Sequence, residues 1–406
     1  MIRPLASAVL AAAMTFSASA QSSPAAPPPT DLTRLTTALN TFAATLHREL
    51  GDTATCSPAS IGIALLMVLP GARGETATEL ERVLALPSDL RGERLHAAAR
   101  ELICLLRGTV DGETATELRL CNDVWLQKDF ALLPDYVKAL RHQFDAAAND
   151  VDFVGEPEAA RAAINDKVAE VTDDRIRDLV PADLITPDTR VVLTNATWLR
   201  GYWLHAFREK GTKPAPFVRK DGSLVEVPTM NVVEKFGYAE DEAMQFVRLP
   251  FADGDVVCDL VLPKANVALA DAERALLQGD YVSLLAPQMV KVALPKFTVA
   301  GKLRLKEVLM RLGLKTAFDE ERADFSGMRN ERDLCIDEVV HQTWVAVDEN
   351  GAEAAAATAV VMKRAGGERP KEPKVFAADR PFAFVLRHRS GLLLFVGRVE
   401  DPSVAR

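Results

Sequence analysis

The chain has 406 residues, of which 48% are hydrophobic and 26% charged, and its formal net charge is −9. Basic residues alternate with acidic ones and form no long runs, which argues against nucleic acid or an anionic membrane as a partner. The length suffices for two ordinary domains or one large one with a sizeable core.

The first 20 residues have the pattern of a secretory signal peptide. Arg3 supplies the positive start, residues 5–16 the apolar core, and Ala18-Ser19-Ala20 the small-residue cleavage site. The apolar core is too short for a membrane span, and no cysteine follows the cleavage site, so a lipid anchor is not indicated. We therefore expect secretion or periplasmic export, with cleavage after Ala20 and a flexible Ser/Ala/Pro-rich lead-in over residues 21–31.

Helical periodicity dominates the first half of the chain that follows. Apolar spacing predicts helices over residues 32–50, 61–69, 76–84, 90–107, 134–144 and 158–172. Thr30 and Asp31 are candidate N-caps of the first helix. Alternating apolar residues predict one strand over residues 118–127, and residues 176–180 are predicted to be extended.

Strands predominate in the second half. Residues 190–198 (RVVLTNATW) are apolar on both faces, which predicts a central strand. Further strands are predicted over residues 202–207, 216–218, 225–230, 245–250, 255–263, 290–299, 335–347, 382–387 and 392–399, and helices over 267–277 and 303–312. The succession of helices and then strands indicates an α+β fold.

The sequence contains none of the common enzyme signatures: GxSxG, HExxH and Gly-rich phosphate loops do not occur. The six histidines are scattered, and His341 lies between apolar runs of a predicted strand, where a hydrogen-bonded core role is the more frequent one. We therefore expect neither catalysis nor a cofactor or metal. The five widely spaced cysteines are interpreted as buried thiols, with one disulfide left open: Cys56, Cys104, Cys121, Cys258 and Cys335.

An alanine-rich run, ENGAEAAAAT, begins at Glu349 and ends at Thr358. Alanine has the highest helix propensity, so the run taken alone favours a short helix. An isolated helix of this length is marginal in water, however, and the run lies between β-rich segments. A run of small side chains can also enter a crowded sheet as a strand. Composition alone leaves both alternatives open.

Four segments of the chain resemble the serpin family, in the family's order and spacing. They are residues 57–80 (SPASIGIALLMVLPGARGETATEL), 193–203 (LTNATWLRGYW), 341–358 (HQTWVAVDENGAEAAAAT) and 378–399 (ADRPFAFVLRHRSGLLLFVGRV). The resemblance covers residues 32 to 402 and implies one α+β domain over residues 32–406. It implies the serpin fold, with about nine helices, three β-sheets and an exposed reactive loop near residues 349–375.

The resemblance also implies an activity. In inhibitory serpins a serine or cysteine protease attacks a bond in the exposed loop and forms an acyl-enzyme. The cleaved loop then inserts into the main sheet, carries the protease along and stalls deacylation, so the uncleaved fold is metastable. We therefore expect a monomeric, secreted suicide-substrate inhibitor of trypsin-like or elastase-like proteases that forms a covalent complex. The alternative is a non-inhibitory serpin, a binding or storage protein with a cleavable loop.

Loop insertion buries alternate residues of the loop. These are Ala352, Ala354, Ala356 and Thr358, which are all small, whereas Glu353 belongs to the outward-facing set. Neither a proline nor a charge stands at a position to be buried, so the hinge is of the inhibitory type. The predicted hinge consists of Glu349, Gly351 as a flexible pivot, Ala352, Glu353, Ala354, Ala355, Ala356, Ala357 and Thr358.

Other positions carry over from the family by matched motif. The shutter, a polar cluster under the sheet, corresponds to Ser57, Ser60, Asn195 and His341. The breach, where the loop first enters the sheet, corresponds to Trp203 with the ion pair of Lys296 and Glu349. Lys167 stands where the family usually has an aromatic residue before valine, which leaves the helix packing there open.

Two bonds fit the bait position. Family spacing counted from Glu349 gives Ala365-Gly366, which suits an elastase-like enzyme with a small pocket. Arg364-Ala365, one residue earlier, suits a trypsin-like enzyme, because an acidic pocket favours arginine. The stretch over residues 366–374 is longer than in typical members, so the register stays open; we favour Arg364-Ala365.

Overall fold

The computed structural model describes residues 29–51, 55–107, 116–352 and 372–404. Within these ranges eight α-helices occur: α1 (Asp31–Leu50), α2 (Pro58–Val68), α3 (Gly74–Val83), α4 (Gly92–Arg107), α5 (Pro134–Ala139), α6 (Pro157–Val171), α7 (Leu269–Gln278) and α8 (Lys306–Leu312). A π-helical turn, Leu140–Phe144, extends α5, and a 3-10 segment, Asp280–Leu284, follows α7. No helix in the described part of the chain is long and apolar enough to cross a membrane.

The helix ends follow from local sequence. Thr30 caps α1 as predicted, because its side chain accepts a hydrogen bond from the backbone N–H of Thr33. Ser57 caps α2 in the same way through the N–H of Ser60. Every residue of α2 is buried, so this helix occupies the centre of the molecule rather than its surface.

The first sheet has six strands in the order β2-β1-β3-β11-β10-β9. They are β1 (Glu117–Gln127), β2 (Ala148–Val151), β3 (Val191–Tyr202), β9 (Phe297–Arg304), β10 (Glu338–Val347) and β11 (Gly351–Ala352). β3 is the predicted central strand: it runs antiparallel to β1 and parallel to β10. Its burial on both faces explains the nearly continuous apolar sequence.

The second sheet is continuous through one long strand. Its strands are β4 (Lys213–Val218), β5 (Leu224–Glu240), β6 (Met244–Pro250), β7 (Val256–Pro263), β8 (Ala286–Pro295), β12 (Lys374–Ala377), β13 (Phe382–His388) and β14 (Leu393–Val399). Residues 224–229 of β5 pair with β4, residues 229–238 with β8 and residues 237–240 with β6. The described residues thus form two sheets where the resemblance implied three, because β5 joins the strands on either side of it into one sheet.

Several predicted elements differ from the observed ones. The predicted strand over residues 202–207 is not a separate strand, because β3 ends at Tyr202 and the chain turns after it. The predicted strand over residues 290–299 is divided at Lys296, where the chain passes from β8, paired with β5 in the second sheet, to β9, paired with β10 in the first. The predicted strand over 335–347 begins only at Glu338. The predicted extended piece over residues 176–180 pairs with no strand; Ile176, Leu179 and Val180 are buried against the sheet instead, which accounts for their apolar character.

The cysteines differ from expectation in one respect. All five are free thiols, and four of them are buried, but Cys104 is exposed on α4. The described residues include no group of histidine, cysteine, aspartate or glutamate side chains that could hold a metal ion.

Candidate functional site

The first sheet contains a seam, which we define as the parallel pairing of β3 and β10. It runs from Val192 opposite Glu338 to Trp198 opposite Trp344. Beyond this point the two strands diverge, and the two residues of β11 lie between them. Gly351 is paired with Tyr202, and Ala352 with both Gly201 and Val347. A third strand therefore already begins at the open end of the seam.

Gly351 is required here by a close backbone approach. A Cβ atom at this position would lie 1.8 Å from the carbonyl oxygen of Gly201. Its φ angle is outside the positive range, so the requirement for glycine seen here is steric, and its role as a flexible pivot stays a prediction. Ala352, the next residue, is fully buried. The small side chains at the beginning of the predicted hinge thus match the space that receives them.

The carbonyls of the turn before β11 are held by the chain after β3. Trp203 donates through Nε1 to the carbonyl of Asp348 at 3.0 Å and through its backbone N–H to the carbonyl of Asn350 at 2.8 Å. The backbone N–H of Phe207 donates to the carbonyl of Glu349 at 2.9 Å. The ring of Trp203 packs on Phe251 with 4.6 Å between centroids. The predicted breach aromatic therefore touches the turn directly.

Glu349 forms the predicted ion pair at the same end of the seam. Its carboxylate lies 2.8 Å from Nζ of Lys296 and accepts a hydrogen bond of 2.7 Å from the hydroxyl of Thr212. Burial opposes ionisation of Glu349, but these two contacts outweigh it and lower the pKa of the carboxyl. Thr212 was not identified from the sequence, because a single threonine in a loop carries no signal of its distant partner.

A polar cluster lies beneath the seam, made of Ser57, Ser60, Asn122, Asn195 and His341. Nε2 of His341 accepts the backbone N–H of Ser57 at 3.0 Å, so Nδ1 carries the proton and donates to Oδ1 of Asn195. Nδ2 of Asn195 donates to the hydroxyl of Ser60 at 2.6 Å and to Oδ1 of Asn122. The cluster joins α2 to β1, β3 and β10.

The cluster brings the four predicted shutter residues together and adds Asn122. A polar residue on the inward face of an alternating strand was the available signal for Asn122, since β1 reads LRLCNDVWLQ. The hydroxyl of Ser60 also donates to Oδ1 of Asn122 at 3.0 Å. Each of these buried polar side chains therefore has a partner, as buried polar groups require.

His341 is a structural rather than a catalytic group. Complete burial lowers its pKa to about 3, so the ring is neutral at physiological pH. A catalytic serine would donate its hydroxyl to the imidazole ring. The backbone of Ser57 contacts the ring, but its Oγ donates to the carbonyl of Leu394 at 2.6 Å instead. The geometry thus agrees with the interpretation of His341 as a hydrogen-bonded core residue.

The remaining predicted site residues lie outside the described part of the chain. These are Glu353, Ala354, Ala355, Ala356, Ala357 and Thr358 of the hinge, and Arg364, Ala365 and Gly366 of the candidate bonds. The described chain continues at Glu372 and enters β12, which pairs in parallel with β8 of the second sheet. The intervening segment therefore connects the seam to the edge of the other sheet.

The opposite face of the sheet is covered by α6. Nζ of Lys167 lies 2.8 Å from Oδ1 of Asp123 in β1 and 3.2 Å from Oδ1 of Asn149 in β2. The same ammonium lies over the ring of Trp125, 5.5 Å from its centroid. The sequence did not show how α6 packs on the sheet with Lys167 in place of an aromatic residue. In the structure, Lys167 contacts β1 through an ion pair with Asp123 and a cation–π contact with Trp125. Neighbouring residues of β1, Asn122 and Asp123, are anchored on opposite faces.

Comparison with known proteins decides the family. The sequence profile of Serpin (serine protease inhibitor) matches residues 37–402. The chain belongs to the serpin family. It is 37% identical over 372 residues to an uncharacterized serpin-like protein of Thermococcus kodakarensis, covering 90% of this chain and 85% of that one. It is 34% identical over 374 residues to Serpin B8 of Homo sapiens, covering 89% and 98%.

A solved structure agrees with the observed fold. The crystal structure of Serpin48, described as a highly specific serpin of the insect Tenebrio molitor, superposes with a TM-score of 0.80 at 31% identity. The match covers 91% of this chain and 98% of that one. The α+β serpin fold is therefore confirmed. Serpins are in general protease inhibitors rather than enzymes, and this serpin shares that type of fold.

Proposed function

We propose that this serpin is a suicide-substrate inhibitor of serine proteases that works by inserting its cleaved loop into the seam. The observation that carries the proposal is β11: two residues at the start of the loop, Gly351 and Ala352, are already paired within the sheet. They run antiparallel to both β3 and β10, the direction that an entering loop must take.

The strand directions favour insertion at this seam. β3 and β10 are parallel, and a parallel pair is slightly less stable per residue than an antiparallel one. A loop strand that enters between them replaces one parallel ladder by two antiparallel ladders. Two ladders also contain more backbone hydrogen bonds than one. The sheet with the loop inserted between β3 and β10 is therefore more stable than the sheet with these strands paired to each other.

The register of β11 predicts where each loop residue would arrive. Each further residue of the loop steps back one residue along β3 and one along β10. Continued from Ala352, both ladders place residue 361 at the far end of the seam, opposite Val192 and Glu338. The two registers agree, so nine residues, 353 to 361, would fill the seam without a bulge.

The same register places alternate small residues of the loop on the face of β3 that carries Asn195. Ala354 and Ala356 would lie opposite Leu199 and Thr197, which are both fully buried. Thr358 would arrive between Asn195 and His341, whose hydrogen bond must separate to admit it. The hydroxyl of Thr358 would then offer a hydrogen-bond partner to Asn195 and His341, which lose their bond to each other when the strands separate.

The covalent steps follow ordinary serine-protease chemistry. The protease serine Oγ attacks the scissile carbonyl carbon, the peptide C–N bond breaks, and the new amino terminus leaves with a proton. The resulting ester joins the enzyme to the loop. A strand of about 15 residues spans about 50 Å, so insertion carries the enzyme far from its docking point, and distortion of its active site stalls hydrolysis of the ester.

The site of attack and the compartment belong to the same proposal. Arg364-Ala365 would direct the inhibitor to trypsin-like enzymes, and Ala365-Gly366 to elastase-like ones. The signal pattern of the first 20 residues supports export from the cytoplasm, and the target proteases of this proposal would be encountered in the periplasm or outside the cell. The partner is the protease itself, in a complex with one inhibitor chain.

Incubation of the mature protein with trypsin and with elastase tests the proposal on a denaturing gel. A covalent complex that survives SDS is expected, and it must be absent when the active-site serine of the protease is chemically blocked. The mass of the released fragment identifies the bond. Clean loop cleavage that leaves the protease active would overturn the proposal and favour a non-inhibitory serpin with a cleavable loop.

A further inference from the structure

The chain reversal between β10 and β11 is fixed from within by one side chain. Oδ1 of Asp348 accepts the backbone N–H of Asn350 at 2.8 Å and that of Gly351 at 3.2 Å. The backbone N–H of Asp348 donates to the carbonyl of Gly351 at 2.9 Å. Trp203 and Phe207, which lie outside the turn, donate hydrogen bonds to its carbonyl groups. Asp348 accepts the hydrogen bonds of the turn's N–H groups, so both kinds of backbone group have partners.

The turn determines the register of the strand that follows it. Ala352 meets Gly201 and Val347 only if the chain reverses within residues 348–351, because β10 ends at Val347. Gly351 leaves no room for a side chain, since a Cβ atom there would lie 1.8 Å from the carbonyl oxygen of Gly201. A carboxylate that binds two successive N–H groups is a strong acceptor in this geometry.

We propose that Asp348 is a positioning residue for loop insertion, which holds the first pair of the inserted strand in register before any cleavage. The proposal rests on the function proposed above. With the turn preformed, insertion after cleavage only extends an existing ladder and does not have to nucleate one. Pairing two strands from a disordered start requires a loop-closure step that a preformed turn has already completed.

Preorganisation matters because insertion competes with deacylation. An acyl-enzyme whose loop inserts slowly is hydrolysed, and that inhibitor molecule is consumed as a substrate. Loss of the Asp348 acceptor should therefore increase the number of inhibitor molecules used per protease trapped. The rate at which the protease first attacks the loop should not change, since the scissile bond lies well beyond the turn.

The test compares three variants of the full chain. Asp348→Ala removes the acceptor, Asp348→Asn retains an Oδ1 acceptor without the charge, and Asp241→Ala is a matched control. Oδ1 of Asp241 accepts two backbone N–H groups, of Ala243 and Met244, each at 2.7 Å, in the turn between β5 and β6. That turn lies in the second sheet, outside the seam.

The first readout is hydrogen exchange of the peptide covering residues 348–352, which does not depend on inhibition. Asp348→Ala is expected to accelerate it about tenfold, the factor that corresponds to ~1.4 kcal/mol. Asp348→Asn should restore most of the protection, and Asp241→Ala should leave this peptide unchanged. Unchanged exchange in Asp348→Ala overturns the proposal.

The second readout is the stoichiometry of inhibition together with the rate of loop attack. Asp348→Ala should raise the stoichiometry at least about twofold with an unchanged attack rate and unfolding midpoint, and the asparagine variant should restore it. A stoichiometry equal to that of the parent overturns the insertion role. If the parent protein traps no protease at all, the proposed function fails, while the exchange result still decides the position of Asp348 in the turn.

Discussion

Nε2 of His341 accepts the backbone N–H of Ser57 at 3.0 Å. Ser57 caps the central helix α2, and His341 belongs to β10, so this one bond joins the core helix to a strand of the seam. The bond also fixes the tautomer, because a ring nitrogen that accepts cannot carry the proton. The proton on Nδ1 is donated to Asn195 of β3, so the neutral imidazole also bridges the two strands of the seam.

Acid should destabilise the uncleaved protein through His341. Burial lowers the pKa of His341 from 6.5 to about 3, so the unfolded chain binds this proton more readily than the folded one. The contribution of the neutral ring is complete above pH 6.5 and is lost as the pH falls from there towards about 3. The slope can reach ~1.4 kcal/mol per pH unit.

The variant His341→Gln isolates this contribution from the carboxyl groups that also titrate in acid. Urea unfolding of both proteins, from about pH 4 to about pH 7, gives the difference in unfolding free energy at each pH. We expect the parent to lose more stability on acidification than the variant. A difference that is constant over this range would show that the pKa of His341 is the same in the folded and the unfolded protein.

Ala352→Arg should convert the inhibitor into a substrate. Ala352 is fully buried between Gly201 and Val347, and an unpaired guanidinium there would cost several kcal/mol, so the loop cannot begin to insert. Complex formation with the protease should disappear while loop cleavage continues at the parent rate. Heating the cleaved variant should also show none of the added thermal stability that insertion confers.

Glu353→Gln is the matched control for Ala352→Arg. The register continued from Ala352 places residue 353 opposite Arg200, whose side chain is exposed, so this substitution changes a charge without entering the core. It should leave the covalent complex intact. Complex formation by Ala352→Arg, or its loss in Glu353→Gln, would contradict the assignment of the buried face.

The sequence predicted the seam better than it predicted what surrounds it. The central strand, the cap at Thr30 and the burial of His341 follow from local pattern, because apolar runs and capping residues act on their own neighbourhood. The alternation of β1 marks Asn122 as an inward-facing polar residue. Its partners, like the pairing of Thr212 with Glu349, depend on which distant segments come together, and the residues nearby do not encode that. Asp348 adjoins the predicted hinge, but its role follows only from the two N–H groups that the fold directs to it.

The Glu349–Lys296 pair should stabilise the closed end of the seam modestly. Lys296 is 41% exposed and Glu349 only 9%, so solvent screens the pair and we expect Lys296→Ala to cost about 1 kcal/mol. Because the pKa of Glu349 is lowered, this contribution is present above the ordinary carboxyl pKa of 4.5 and is lost as the pH falls below it.

A double-mutant cycle of Glu349→Gln and Lys296→Ala measures the pair. The unfolding midpoint at neutral pH should show coupling between the two substitutions, and the coupling should vanish in strong acid. Thr212→Val provides the comparison for the second partner of Glu349, since it removes the hydroxyl and keeps the shape. Strictly additive effects of the two charged positions at neutral pH would show that the pair contributes nothing.

Lys167→Trp, which restores the family's usual aromatic residue, should destabilise this serpin. Asp123 is buried, and removal of the ammonium leaves its carboxylate with Asn149 and Cys121 as weaker partners. We expect a loss of about 2 kcal/mol in unfolding free energy, less than for a fully buried pair because Lys167 is partly exposed. The double substitution Lys167→Trp with Asp123→Asn should recover most of the loss, because a neutral amide needs no counterion. Unfolding in urea measures all three proteins; a single variant as stable as the parent would show that α6 is held on the sheet by its apolar contacts alone.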